Sequence, residues 1–382
     1  FPKAHSAAFG LLAYQSTWLR VNYGPELLCA LLNEQPMGFY PPDALVHEAQ
    51  RRGIEILPPD VNLSEVDCRV ETTGAVAGPS GNPPVRIGLG YVAEVAELDV
   101  EAVIDERRRG GSYRSISDLA GRSGAGAAAL QRLAWAGACD GLVTTPAVGA
   151  SPPIDPEEDL RRPALWEVGG AARADRAQLA LPLDGSPTPP LPELGPWERI
   201  VADYRTTGMT LGRHPMELLR QELPDEVLNS EELARTADAT RVMVAGMVVA
   251  RQRPATANGV VFMLLEDERG TINLIVPPPV VERCRLAVRT SGFVRASGKL
   301  EHREGTTNVV VTTIERVERR DLPPSRARQI EPPTERETGR EQGHRIRFTG
   351  PPKRAFDGVR EAAMAELAAS LPAPHSFGRR GR

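Results

Sequence analysis

The chain has 382 residues, of which 41% are hydrophobic, and a formal net charge of −4. This length predicts two to four domains, and the slightly acidic balance excludes a uniformly basic nucleic-acid-binding protein, so any DNA contact must come from local patches. No CxxC pair and no run of 18 apolar residues is present, so we expect a cytoplasmic protein without a zinc site, a disulfide framework or a membrane span.

Residues 1–33 are predicted to be helical. Apolar residues occupy most faces of the first helix, which predicts burial in a large domain, and Pro25 opens a second helix at its first turn. Residues 41–52 form a third predicted helix that Gly53 stops, and 54–57 form a short strand. Because the first residue is not methionine, we expect the chain to be a C-terminal piece of a larger protein.

Residues 85–141 form the next predicted unit. Asp99 is the expected N-cap of a helix that runs through Arg109 and is stopped by Gly110 and Gly111. Two further helices, at 117–122 and 127–136, flank a turn that contains Gly124 and Gly126. Helix, glycine hairpin and helix form a pattern in which the backbone approaches a DNA phosphate and helix-start N–H groups point at it. Gly124 and Gly126 are therefore candidate DNA-backbone contacts; the alternative is an ordinary helical turn.

Residues 142–196 are rich in Pro, Gly and Ala and are predicted to be mostly linker. The acidic run at 155–159 is typical of a solvated helix start, which we favour over a metal site. One apolar cluster interrupts the linker, and its leucines alternate as in an extended ligand peptide: Gln178, Leu179, Leu181 and Leu183. The alternative is that these leucines fold back onto the chain's own domains.

Residues 197–240 are predicted to be a helical connector, in which His214 before Pro215 is interpreted as a structural turn histidine. The segment 241–317 then predicts a small β-barrel. Its β-branched runs lie at 241–250, 259–266, 271–276, 293–301 and 308–317, with a helical stretch at 277–290. Three strands, a helix and two strands is the order of the OB-fold; a two-sheet sandwich is the alternative. Residues 318–382 are predicted to be a disordered basic tail, with one possible helix at 356–371.

The barrel offers two kinds of candidate nucleic-acid contact. Phe262 and Phe293 are the available aromatic residues for stacking on bases, unless both belong to the core. The basic candidates for phosphate contact are Arg251, Arg253, Lys299, His302 and Arg303. The acidic turn at 266–268 opposes them, so DNA binding and protein binding by the barrel both stay open.

Four stretches resemble one family: FPKAHSAAFGLLAYQSTWLRVNY, NEQPMGFYPPDALVHEAQRRGIEILPPDVN, VRIGLGYV…LQRLAWAGACDGL and DYRTTGMTLGRHPMELLR. They are similar to C-family bacterial DNA polymerases, and QPMGFY with the basic helix after it favours the error-prone paralogue of the DNA polymerase III alpha subunit. The resemblance covers residues 1–140 and 197–317. It implies a multidomain α+β protein with fingers at 1–70, a tandem helix-hairpin-helix unit at 85–141 and an OB-fold domain at 241–317.

The resemblance also assigns candidate roles to individual residues. Lys3, His5 and Ser6 match the fingers signature PKxHS, in which a Lys and a His would stabilise the phosphates of an incoming nucleotide; alternatively, His5 caps a helix that begins near Ser6. Residues 93–96 stand where the family usually has its first glycine hairpin. Because Glu94 would repel phosphate, we expect that hairpin not to bind DNA.

No catalytic residue can be named, because the sequence has no Asp-x-Asp and no GxxxxGK[ST] loop. In the family the metal-binding carboxylates lie upstream of the segment resembling 1–23. We therefore expect no cofactor in this fragment, and Mg²⁺ and dNTP for the whole polymerase. The expected partners are primer-template DNA and, through Gln178, Leu179, Leu181 and Leu183, a sliding clamp, or else a damage-tolerance accessory subunit.

The sequence leaves two functions from different classes. The first is the C-terminal portion of an error-prone DNA-directed DNA polymerase that acts in damage-induced mutagenesis and translesion replication. The second is a stand-alone DNA-binding or scaffold module without catalytic activity. A palm with paired aspartates encoded upstream would favour the first function, and a start codon close to residue 1 would favour the second.

Overall fold

A computed structural model describes residues 3–36, 40–71, 81–143, 159–171, 189, 191–303, 305–317 and 375–377. The helices are α1 (Lys3–Asn22), α2 (Gly24–Asn33), α3 (Pro42–Arg51), α4 (Glu97–Gly110), α5 (Ile116–Arg122), α6 (Ala127–Trp135), α7 (Arg161–Ala171), α8 (Pro196–Thr206), α9 (Pro215–Arg220), α10 (Ser230–Arg235), α11 (Pro278–Arg283) and α12 (Arg285–Thr290). The strands are β1 (Ile56–Leu57), β2 (Arg69–Val70), β3 (Val85–Arg86), β4 (Val227–Leu228), β5 (Arg241–Gln252), β6 (Val261–Glu266), β7 (Thr271–Val276), β8 (Phe293–Arg303), β9 (Thr306–Arg316) and β10 (His375–Phe377). None of the described helices has the length and apolarity needed to cross a membrane.

The three predicted N-terminal helices are present, and a proline occupies the first turn of α2 as expected. Helix α1 has no buried side chain, so its predicted burial is not found within the described residues. In contrast, α2 and α3 pack on the small sheet β1-β3-β2. Leu32, Val46 and Val85 are fully or almost fully buried in this cluster.

The helix-hairpin-helix unit contains α4, α5 and α6 around one apolar core, in which Leu130, Leu133 and Ala134 face inward as predicted. Helix α7 completes this core with Ala164 and Val168, which are both buried. The linker prediction is therefore wrong for 161–171. Asp159 is 4% exposed and accepts a hydrogen bond from the N–H of Arg161, so the predicted helix start is present but is not solvated.

The barrel closes as the predicted OB-fold, and the two-sheet sandwich is excluded. Its strands follow the order β5-β6-β7-β9-β8, and β8 returns to pair with β5. The pairing of β7 with β9 is parallel and the other pairings of the barrel are antiparallel. The helices α11 and α12 lie between β7 and β8, in the position predicted for one helical stretch. The strand β10 adds in parallel to the end of β5.

The connector joins the barrel to the helical units. Helices α8 and α9 pack on the outer face of β5 around Tyr204, Met216 and Met247. Phe293 is 4% exposed and belongs to this cluster, so it is a core residue and not a stacking platform.

Candidate nucleic-acid interface

The second hairpin has the backbone expected of a phosphate-binding turn. Gly124 has a φ of +69°, which favours glycine, and Gly126 is the N-cap of α6. The N–H of Gly126, however, donates to Asp99 Oδ1 at 2.9 Å. The N-cap of α4 is Ala96 and not Asp99, so that prediction is wrong. Asp99 instead places its carboxylate at the start of α6, where a phosphate was expected.

The first hairpin follows the same backbone course without glycine. Glu94 has a φ of +62°, close to that of Gly124. Ala96 caps α4 with φ −71° and ψ 143°, and Gly126 caps α6 with φ −67° and ψ 150°. The Glu94 carboxylate accepts a hydrogen bond from Arg132 of α6 and forms an ion pair with it. The acidic side chain therefore links the two hairpins.

Most arginines of the helix-hairpin-helix unit are ion-paired. Their carboxylate partners come from the same unit or from Glu65 before it, and the pairs include Arg107–Glu65, Arg108–Glu65, Arg109–Glu106, Arg122–Glu106, Arg122–Asp118 and Arg132–Glu94. These pairs neutralise much of the positive charge that DNA phosphates would otherwise meet on this surface.

The basic candidates of the barrel do not form one site. Arg251 is 8% exposed and donates to the carbonyl of Ser291, and burial lowers its pKa to about 10. A buried guanidinium is poorly placed for a DNA phosphate, which argues against its predicted contact. Arg253 is exposed just after the end of β5, whereas Lys299 pairs with Arg241 at the beginning of that strand.

The C-terminal end of β8 has its own contacts. Arg303 is exposed and lies 3.4 Å from Glu301, and His302 Nε2 lies 3.0 Å from the carbonyl of Thr236. Phe262 on β6 is 38% exposed, so it is available for stacking where Phe293 is not.

The fingers candidates lie on the exposed helix α1. Lys3, His5 and Ser6 are all in its first turns, and the His5 ring lies 4.5 Å from the ring of Phe9. Because the helix begins at Lys3, His5 is not its N-cap, and that alternative is wrong. The clamp-peptide candidate at 178–183 and the predicted helix at 356–371 lie outside the described residues.

A buried charged cluster joins α3 to the barrel, and sequence reasoning missed it. His47 Nδ1 lies 3.3 Å from Glu266 Oε2 at the end of β6, and His47 Nε2 lies 3.4 Å from Asp43 Oδ1. Tyr204 donates to Asp43 at 2.7 Å, and Arg51 donates to Glu266 at 2.8 Å. The only sequence signal was the Asp43–His47 spacing of four on a helix, since the contact with Glu266 spans 219 positions.

The charges of this cluster balance. Burial alone lowers the pKa of His47, but the Asp43 and Glu266 carboxylates outweigh it and raise that pKa to about 9. Burial raises the pKa of Asp43 to about 6 against the opposing effect of His47. At neutral pH both groups are therefore charged, and two cations face two carboxylates, as a buried ion network requires.

His214 completes the cluster as a neutral residue. Burial, with His47 and Arg51 nearby, lowers its pKa well below the usual value. Its Nδ1 accepts the N–H of Met216 at 3.1 Å and caps α9, which confirms the predicted turn histidine. Ligand atoms of His47, His214 and Glu266 lie within 4.8 Å of one another. Because the proton of neutral His214 must then be on Nε2, the cluster is better suited to a structural joint than to a metal ion.

A helix-hairpin-helix unit followed by an OB-fold barrel defines a multidomain protein of the DNA-binding class. The family described as a helix-hairpin-helix motif matches residues 53–147. The family described as an OB-fold nucleic acid binding domain matches residues 242–317. A solved structure, asparaginyl-tRNA synthetase from Pyrococcus horikoshii, is 23% identical, covers 25% of this chain and 23% of its own, and has a TM-score of 0.22.

Curated relatives specify the class further. Error-prone DNA polymerase 1 of Rhizobium meliloti is 37% identical over 82% of this chain and 29% of its own length. The error-prone DNA polymerase of Methylococcus capsulatus is 38% identical over 82% of this chain and 30% of its own length. That of Corynebacterium jeikeium is 35% identical over 83% of this chain and 30% of its own length. The chain is therefore homologous to error-prone DNA polymerases, which confirms the resemblance found in the sequence. It spans about a third of their length.

Proposed function

We propose that the chain is the C-terminal portion of an error-prone DNA-directed DNA polymerase that acts in damage-induced mutagenesis and translesion replication. The single observation that carries this proposal is the identity of 37% over 82% of the chain with a polymerase of that name. The helix-hairpin-helix and OB-fold units within the aligned region fit a role in holding DNA.

In this proposal the whole polymerase takes Mg²⁺ and dNTP, and the present residues bind primer-template DNA. The polymerase acts in the cytoplasm. The segment 178–183 contacts a sliding clamp, or an accessory subunit recruits the polymerase. Lys3, His5 and Ser6 face the incoming nucleotide, which the exposure of α1 permits.

The test uses the full-length product of the gene that encodes this chain. Primer extension is measured with Mg²⁺ on an undamaged template and on a template with an abasic site. We expect template-dependent incorporation on both. A full-length product that binds primer-template DNA but incorporates no nucleotide would overturn the polymerase function and favour a DNA-binding scaffold.

A further inference from the structure

The exposed arginines of the barrel differ from those of the helix-hairpin-helix unit in their partners. Where that unit pairs its arginines with carboxylates, several exposed arginines of the barrel form no ion pair among the described residues. These are Arg241, Arg253, Arg269, Arg285, Arg289 and Arg316. Unpaired guanidinium groups are the ones that remain free to bind an anion.

Two of them line the same groove, together with a third arginine. The groove has a volume of about 420 Å³ and lies where α11 meets α12 beside the end of β9. It is lined by Arg283, Cys284, Arg285, Leu286, Ala287, Glu315 and Arg316. Three arginines therefore meet at the helix side of the barrel.

The contacts around the groove leave its positive charge in excess. Arg283 donates to the carbonyl of Thr312 at 2.5 Å, which fixes its side chain at the groove wall without neutralising it. Glu315 is the acidic residue of the lining, and it is bound by Arg295 at 2.8 Å. Arg285 and Arg316 are exposed and form no ion pair within the described part of the chain.

The lining indicates the chemistry of the ligand. Guanidinium groups bind phosphate oxygens in a two-pronged geometry, and three of them around one groove match a chain of phosphates. The lining has no aromatic residue, so the groove does not stack bases. Leu286 is 68% exposed and offers an apolar contact for the sugars.

We propose that this groove binds the phosphodiester backbone of DNA. The proposal rests on the DNA-binding role proposed above and names a place for it. It is favoured because carboxylates of the chain already occupy groups of the hairpins that could bind a phosphate. Asp99 accepts the N–H of Gly126, and Glu94 pairs with Arg132. An acidic peptide would use the same guanidinium groups, but the groove belongs to the unit that matches nucleic-acid-binding domains.

The test is a binding titration with the 382-residue chain. A fluorescently labelled single strand and the matching duplex are titrated separately over a range of salt concentrations, because either could supply the backbone. The variant carries Arg285→Gln and Arg316→Gln. The matched control carries Arg213→Gln and Arg235→Gln, two exposed arginines that are paired with Glu217 and Glu231 outside the groove.

For the form of DNA that occupies the groove, the plot of log affinity against log salt should become shallower in the groove variant. Each lost phosphate contact removes about 0.7 from the slope for a single strand and about 0.9 for a duplex, so the double variant loses about 1.4 or about 1.8. The control should keep the wild-type slope. Thermal unfolding of both variants, which change only exposed side chains, is measured alongside to show that the fold is retained.

Two results would overturn the proposal, and they are distinguishable. If the wild-type chain binds DNA and the groove variant keeps its affinity and slope, the groove has another ligand, such as an acidic peptide, while the DNA-binding role stands. If the wild-type chain binds neither the single strand nor the duplex, the DNA-binding role proposed for these residues fails together with the groove.

Discussion

At the scale of single residues, the difference between the two hairpins that matters most for DNA is Glu94 in place of Gly124. Glu94 and Gly124 share a left-handed backbone, but only glycine adopts it without a steric cost, which for other residues is about 1 kcal/mol. Glu94 also places a carboxylate on a turn whose backbone would suit a phosphate. We therefore expect Glu94→Gly to create a DNA-contacting hairpin at 93–96 and to free Arg132 from this ion pair.

The expected result is tighter DNA binding at low salt, with a slope against log salt that is steeper by about 1. The free energy of unfolding should change by less than about 1 kcal/mol, because relief of the backbone strain offsets the loss of an ion pair whose Glu94 side chain is exposed. Ala239→Gly is the matched control, since Ala239 has a φ of +63° and carries no charge. Weaker or unchanged binding by Glu94→Gly, measured by anisotropy, would contradict this role for Glu94.

Residue patterns predicted local contacts well and side-chain partners poorly. The Gly124 turn and the structural turn role of His214 follow from a few neighbouring residues. Asp99 has an ordinary N-cap sequence, yet it does not cap α4 and instead accepts the N–H of Gly126 at the start of α6, 27 positions later. Likewise the sequence predicts an accessible Arg251 at the end of a strand, whereas in the closed barrel Arg251 is buried and donates to the carbonyl of Ser291.

At the scale of elements, the joint between α3 and β6 depends on the charge of His47. The pKa of His47 rises from 6.5 to about 9 on folding, so folding stabilises its protonated form. This contribution is fully present below pH 6.5 and is lost as the pH rises through about 9. The raised pKa of Asp43 acts in the same direction, but in the lower range between 3.8 and about 6.

We expect the stability of the wild-type chain to fall by roughly 2 kcal/mol between neutral pH and about pH 9, given about 1.4 kcal/mol for each unit of pKa shift. His47→Gln should be less stable at neutral pH, because Asp43 and Glu266 lose their buried cation, and its stability should depend less on pH over that range. Chemical denaturation at a series of pH values measures both. His302→Gln, which changes an exposed histidine, is the control and should follow the wild type.

A pH profile of His47→Gln that is as steep as that of the wild type would show that His47 does not carry this linkage. His214 does not contribute to the loss of stability between neutral pH and about pH 9. Its pKa is lowered, so its own contribution is present above its usual pKa and is lost only as the solution becomes acidic.

Local sequence patterns explain why the barrel was predicted and the contact between α3 and β6 was not. Each strand of the barrel has its own β-branched run and turn, so 271–276 was predicted to the residue and the other strands within a few positions. The joint depends on α3 meeting a strand end more than 200 positions later, and no local pattern carries that information. Helix α7 was missed for a related reason, because its short apolar face has meaning only against α5 and α6.

At the scale of the whole molecule, the role proposed for the described units is to hold DNA for a polymerase. Polymerases transfer a nucleotidyl group with two metal ions held by carboxylates. Acidic side chains are numerous here, but Asp99 accepts a backbone N–H at the start of α6, and Glu94 and Glu266 are ion-paired with arginines. The chain also spans only about a third of the length of its polymerase relatives.

We therefore expect the 382-residue chain alone to bind primer-template DNA without extending the primer. Nucleotide incorporation is measured with Mg²⁺ and, separately, with Mn²⁺, so that a site active with either metal is detected. The full-length gene product is the positive control for the template and the nucleotides, and anisotropy on the same primer-template shows that the chain is bound. Template-dependent incorporation that survives removal of contaminating polymerases would place catalytic carboxylates within these residues. The buried carboxylates Asp43 and Glu266 would then be the first candidates. Loss of that incorporation in Glu266→Gln would assign them to the reaction site.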